Sequence, residues 1–231
     1  MGVWWVPSNA WQVRKGRAQV PPASPAAPVD PAPAPGGRRA AAILASVPRI
    51  YTRTGDDGST GLLYGGRISK ADPVAEATGA IDEAVAALGL ARALAEDPSL
   101  QSEILDLQRE LFVIGADLAT NPAERERLEP GVSLATPEMA GRLEARIDEL
   151  VLASPLPNAF IVPGANAVSA ALDVSRSAVR RGERRVVAIR EAGGVVNAEL
   201  LLYLNRLSDL LFVLARIAAG EAEPLSREGG A

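Results

Sequence analysis

Leu100, Ile104, Leu107, Leu111, Ile114 and Leu118 follow one another at steps of 4-3-4-3-4, and that spacing leaves the segment one fold. Only an α-helix brings such positions onto one stripe, and a stripe of this length must be covered by neighbouring helices. The same period surrounds it. After Asp72-Pro73, an N-cap followed by Pro at the first helical position, Val74, Ala77, Ile81, Ala84, Leu88 and Ala91 line the face of a first helix of about 20 residues. Ser99 is expected to cap the second. Thr136-Pro137 opens a third, with Leu143, Ile147 and Leu150 inward, which ends at the breakers Ser154-Pro155-Leu156-Pro157-Asn158. A fourth is expected over 165–189. The fifth, over 196–218, carries Leu200, Leu204, Leu207, Leu211, Leu214 and Ile217. With no period-2 pattern in residues 72–220, the expected fold is all-α, a five-helix, ferritin-like up-down bundle.

What flanks these helices differs in kind. Residues 1–48 hold nine of the eighteen prolines and carry +4, against −8 for residues 49–231. Such a segment cannot build a core and is expected to be a disordered Pro/Ala-rich tail. Residues 49–220 then form the folded domain and 221–231 a flexible C-terminal tail. The tail's basic, acid-poor composition resembles a transit peptide, but its prolines oppose an amphipathic helix and no apolar region follows. Cytoplasm is therefore the expected compartment, with an organelle matrix as the alternative. No apolar run reaches the ~18 residues of a membrane span. The net charge of −4 argues against nucleic acid as a partner.

The 231 residues include no Cys and no His. This excludes a disulfide framework, a thiolate nucleophile, a Ser-His-Asp triad and zinc sites of the usual N/S kind. Any metal must be hard and oxygen-bound, and no residue is assigned as a metal ligand.

Three stretches could carry chemistry. Residues 50–70, Ile50 to Lys70, hold five glycines, five Ser/Thr hydroxyls and three cations, which suits backbone N–H groups and side chains wrapping a polyphosphate. A linker into the first helix is the alternative. Gly61 and Gly66 have P-loop spacing, but Arg67-Ile68 stands where Lys-Ser/Thr is required. The second stretch packs Arg176, Arg180, Arg181, Arg184 and Arg185 into ten residues, with Asp173, Arg176, Arg180 and Arg184 on one helical face. Either it is a solvated face where Glu183 pairs with Arg180 and Arg184, or it meets a counter-charge such as a polyphosphate or a partner-subunit carboxylate. In the third, Asn205 and Asp209 interrupt an apolar helix at i and i+4. They suit either a sugar or phosphate ligand or an interhelical hydrogen bond.

Taken in order, Tyr51 to Gly58, Arg67 to Lys70, Ile81-Asp82-Glu83, Phe160 to Gly164, Ser175 to Arg184 and Tyr203 to Phe212 resemble the motifs of PduO-type ATP:cob(I)alamin adenosyltransferases over residues 49–219. The resemblance implies a homotrimer with active sites between subunits, and transfer of the 5′-deoxyadenosyl group of ATP to cob(I)alamin, commonly with Mg²⁺. The nucleophile is then Co(I) itself, which accounts for a chain without His or Cys. By the same resemblance Thr52, Thr54, Gly55, Asp56, Gly58, Ser59 and Lys70 hold the phosphates from one subunit, and Arg180, Glu183 and Asn205 complete the nucleotide site from its neighbour. Arg176 is expected to pair with Asp82 across the interface, and Phe160 to enter the lower axial face of the corrinoid. On its own, Phe160 also reads as a core residue at a helix entry. A flavoprotein reductase and an adenosylcobalamin-dependent acceptor enzyme are the implied partners.

Three positions depart from the family pattern. Leu172-Asp173 stands for the usual Leu-His, Ala165 for a Gly, and Gly182 for an Ala whose loss weakens the helix by up to about 1 kcal/mol. Asp173 leaves open an escort or sensor that binds ATP and corrinoid with little turnover. A purely structural bundle is the other alternative, and it predicts no thermal stabilisation by ATP.

Overall fold

The computed structural model describes residues 51–156, 159–220 and 224–226. The expected tail at 1–48 and all but three residues of the one at 221–231 lie outside these. Among the described residues are five α-helices: α1 (Pro73–Leu94), α2 (Pro98–Leu118), α3 (Pro137–Ala153), α4 (Ala167–Glu191) and α5 (Ala198–Ala219). A 3-10 helix, Pro122–Arg127, lies between α2 and α3. The helix starts follow local chemistry. Asp72 accepts from the N–H of Val74 at 2.8 Å, as its sequence signal requires. At α2 the cap is Asp97 rather than Ser99: the Asp97 carboxylate takes both the backbone N–H and the hydroxyl of Ser99. Asp97-Pro98 repeats the signal of Asp72-Pro73, and the carboxylate outcompetes the hydroxyl. Asn166 and Ser169 cap α4 reciprocally, and Asn197 caps α5.

Packing runs α2, α1, α4, α5, α3 around the bundle. Ion pairs fix the directions. Arg185 to Glu76 and Arg181 to Glu83 make α4 antiparallel to α1, while Arg142 to Glu110 and Arg146 to Glu103 make α3 antiparallel to α2. The chain thus runs up and down alternately. Small residues let α1 and α4 approach closely: Ala77, Ala80 and Ala84 face Ser175, Ala178 and Gly182, all buried. A Cβ on Gly182 would stand 2.9 Å from the Ile81 Cδ1, so this glycine makes room for a neighbour as well as weakening its helix.

The expected stripes face the core, but not all of each is buried. Val74, Leu100, Ile147 and Leu150 are partly buried and pack against the core, and Ile217 is 38% exposed. From Leu211 two successive steps of three turn the stripe backwards by about 60° each, carrying Ile217 off the inner face. Tyr203 is the largest fully buried side chain, and its hydroxyl donates to Glu110 at 2.8 Å. Burial first and the Glu110 charge second push the phenol well above its ordinary pKa. Arg142 pairs with the same Glu110, which ties α2, α3 and α5 together. No helix among the described residues is long and apolar enough to cross a membrane.

Candidate functional site

The glycine- and hydroxyl-rich stretch before α1 contains a hairpin, β1 (Ser59–Gly61) against β2 (Arg67–Ser69), with Thr60 opposite Ile68. A three-residue pairing is too short to show as alternation in the sequence. Its turn needs left-handed backbone at Tyr64, Gly65 and Gly66, which explains the glycine pair. Leu63 exchanges backbone hydrogen bonds with Ala119 and Asn121, so the hairpin docks on the C-terminal end of α2.

Within this segment the polar groups organise one another. Lys70 Nζ donates to the Gly55 carbonyl at 2.7 Å, where a Cβ would be pressed against the ammonium and the Ser59 carbonyl. Arg67, which sequence reasoning left without a role, donates to the Ser59 hydroxyl and the Thr54 carbonyl. Ser59 in turn donates its hydroxyl and N–H to Asp57, and these bonds, more than the Arg67 charge, hold that carboxyl below its ordinary pKa. The Thr52 and Thr54 hydroxyls lie 2.8 Å apart, and Asp56 is exposed. Thr52, Thr54, Gly55, Asp56, Gly58, Ser59 and Lys70 are thus brought together in one substructure.

A second cluster lies on α4 and α5. Asn205 donates to Glu183 at 3.0 Å and accepts from Arg206 at 2.7 Å, and Arg206 reaches Glu144 of α3 at 2.6 Å. Guanidinium can only donate and carboxylate only accept, so the two neighbours fix which way the Asn205 amide points. In the single chain Asn205 therefore makes the interhelical bond, and Glu183 turns to it rather than to Arg180 or Arg184. The arginine run also divides: Arg181 and Arg185 pair with α1, whereas Arg180 and Arg184 are exposed.

Arg176 lines a groove of about 460 Å³ between α3 and α5, together with Asp148, Arg206, Asp209 and Phe212. Its Nε is buried without a hydrogen-bond partner. Asp82 has no ion-pair partner among the described residues, and desolvation pushes its carboxyl above the ordinary aspartate range although the residue as a whole is exposed. Asp82 and Arg176 do not pair within one chain, and no hydrogen bond or ion pair links the hairpin cluster to Arg180, Glu183 or Asn205. Phe160 is 86% exposed, so it is not a core residue. Its carbonyl accepts from Ser226, and Val162 donates to Pro224, so residues 224–226 pair with the segment entering α4. For those three, a free tail is not what is observed. Beside this segment Pro163, Gly164, Ala170, Asp173, Ser177 and Arg181 line a second groove of about 540 Å³.

Asp173 shares the helical face of Arg176, Arg180 and Arg184, but its partner lies on another helix. It pairs with Arg216 of α5, a partner the sequence did not suggest because only the packing of α4 on α5 brings the two together.

A helical bundle with a glycine- and hydroxyl-rich hairpin at one end and exposed guanidinium groups on a groove-lining helix defines an anion-handling protein. The cobalamin adenosyltransferase family model matches residues 50–218, and the chain belongs to this family. It is 42% identical over 187 residues to the corrinoid adenosyltransferase of Mycobacterium tuberculosis, covering 79% of this chain and 94% of the relative. To that of Bacillus subtilis it is 40% identical over 173 residues, 73% and 86% of the two chains. A variant PduO-type ATP:corrinoid adenosyltransferase from Lactobacillus reuteri, solved complexed with cobalamin and ATP, superposes with a TM-score of 0.70 at 33% identity, covering 78% of this chain and all of that one.

Proposed function

We propose that this chain is a transferase that moves the 5′-deoxyadenosyl group of ATP to the cobalt of cob(I)alamin and releases triphosphate. The cobalt supplies the electron pair, the C5′–O bond breaks, and the bonding electrons leave with the triphosphate. No protein nucleophile is needed, which agrees with a chain that has neither Cys nor His. What the protein supplies is position and charge. Thr52, Thr54, Gly55, Asp56, Gly58, Ser59 and Lys70 hold the phosphates, and the Lys70 ammonium, already steered by the Gly55 carbonyl, faces the developing triphosphate charge.

One observation carries the assembly: each half of the site is incomplete alone. Asp82 is desolvated without a cation, Arg176 has a buried Nε without an acceptor, and the hairpin and the Arg180–Glu183–Asn205 cluster do not meet. A homotrimer that pairs Asp82 with Arg176 of a second copy satisfies both and brings Arg180 to the phosphates. Phe160, an exposed ring beside a groove, would occupy the lower corrinoid face and exclude the axial base. Mg²⁺ would be held mainly by phosphate oxygens and would neutralise their charge, with the exposed Asp56 available as a carboxylate beside the hairpin. Among the described residues no cluster of three acidic side chains could hold it unaided. The bacterial cytoplasm, a flavoprotein reductase and an adenosylcobalamin-dependent acceptor complete this reading.

The test is an anaerobic assay with chemically reduced cob(I)alamin, ATP and Mg²⁺, following loss of Co(I) absorbance and identifying light-sensitive adenosylcobalamin. Wild type should form it and Arg180→Ala should form little. Retained binding of both substrates without product would instead establish an escort.

A further inference from the structure

The chemistry assigned to the site leaves one buried ion pair unused. Asp173 and Arg216 meet where α4 crosses α5, with their side chains 11% and 3% exposed. Arg216 also lies over the ring of Phe212, its guanidinium carbon 4.9 Å from the ring centroid, and Arg176 lies over the same ring at 5.3 Å. Two guanidinium groups therefore share one aromatic ring. Two cations held by one ring repel each other, and cancelling the charge of one relieves that repulsion. The Asp173 carboxylate cancels the charge of Arg216. The series Asp173, Arg216, Phe212, Arg176 runs from one groove to the other, since Asp173 lines the groove beside Pro163 while Phe212 and Arg176 line the groove between α3 and α5.

We infer that Asp173 and Arg216 are a positioning pair for Arg176: they fix the Phe212 ring and neutralise the competing cation, so that the Arg176 guanidinium is presented for pairing outside its own chain. This rests on the proposed role of Arg176 at the subunit interface. It makes Asp173 a residue that sets site geometry through Arg176.

Asp173→Asn alone would take the carboxylate away from a buried guanidinium and could unfold the protein, so the informative variant is Asp173→Asn/Arg216→Met, which removes both charges. In the full-length protein this double variant should keep a melting temperature within a few degrees of wild type. Its kcat/KM should fall about tenfold to a hundredfold, as misplacement of a group in the site does, and its assembly should weaken in sedimentation. On an Arg176→Ala background the same two substitutions should cost nothing further, because the pair acts through Arg176. Wild-type kinetics and assembly in the double variant, or a full additional loss on the Arg176→Ala background, would overturn the inference. Failure of the wild type to form adenosylcobalamin would sink the transferase reading instead, and sedimentation would still report on the pair.

Discussion

Asp117 offers the sharpest test of how the site is supported. Its side chain is completely buried at the end of α2. One carboxylate oxygen takes Arg125 at 2.5 Å, and the other takes the Ala135 N–H at 3.0 Å and the Asn197 amide at 2.8 Å. Asn197 itself caps α5. One carboxylate thus joins the end of α2, the 3-10 helix, the entry to α3 and the start of α5. Asp117→Asn keeps the shape but has no acceptable orientation, because every neighbour is a donor and the new NH₂ must face one of them. Removing one charge of a buried pair costs about 3–5 kcal/mol. Arg125 is 22% exposed and retains some water, which sets the expectation near the lower end, about 3 kcal/mol. For a folded unit of this size that lowers Tm by roughly 6–12 °C. The hairpin docks at Ala119 and Asn121, two and four residues on, so KM for ATP should rise as well. Differential scanning calorimetry and ATP titration at fixed cob(I)alamin measure both. An Asp117→Asn variant melting within about 2 °C of wild type would refute the reasoning.

Gly182→Ala gains about 1 kcal/mol of helix propensity but sets a methyl group against Ile81, so it should not stabilise alone. Combined with Ile81→Val, which removes the clashing Cδ1, it should unfold at higher urea than the sum of the single changes. Arg206→Met frees the Asn205 amide while deleting only a partly exposed pair worth about 0–1 kcal/mol, so KM for ATP should rise with Tm nearly unchanged. Asp82 gives a pH dependence whose sign can be worked out. In the lone chain desolvation raises its pKa, so its ionised form lowers stability as pH rises. Pairing with Arg176 of a second copy favours the ionised form. Assembly should therefore be complete at neutral pH and weaken as pH falls through the raised value, whereas Asp82→Asn should assemble poorly at every pH. Sedimentation across that range measures it, and a wild-type assembly insensitive to acid would count against the interface.

The helices could be read in the sequence because their information is local. Asp72-Pro73 fixes a start within three residues of itself, and the spacing from Ile104 to Leu118 describes a single rigid face. The chemical constraints were equally plain, since a chain without Cys or His leaves a narrow range of reactions. Other features were not legible. The hairpin is too short for a period, and Asp97 captured the start of α2 two residues ahead of Ser99. The buried carboxylate of Asp117 gathers donors from 8, 18 and 80 residues away, and Asp173 meets Arg216 43 residues on. By itself the sequence determined which segments are helical and which side chains could carry charge to a polyphosphate. Only the tertiary structure decided which charges are consumed inside the chain and which remain for a ligand or a second subunit. Ion pairing depends on distance in space, and that distance is set by how α4 packs between α1 and α5.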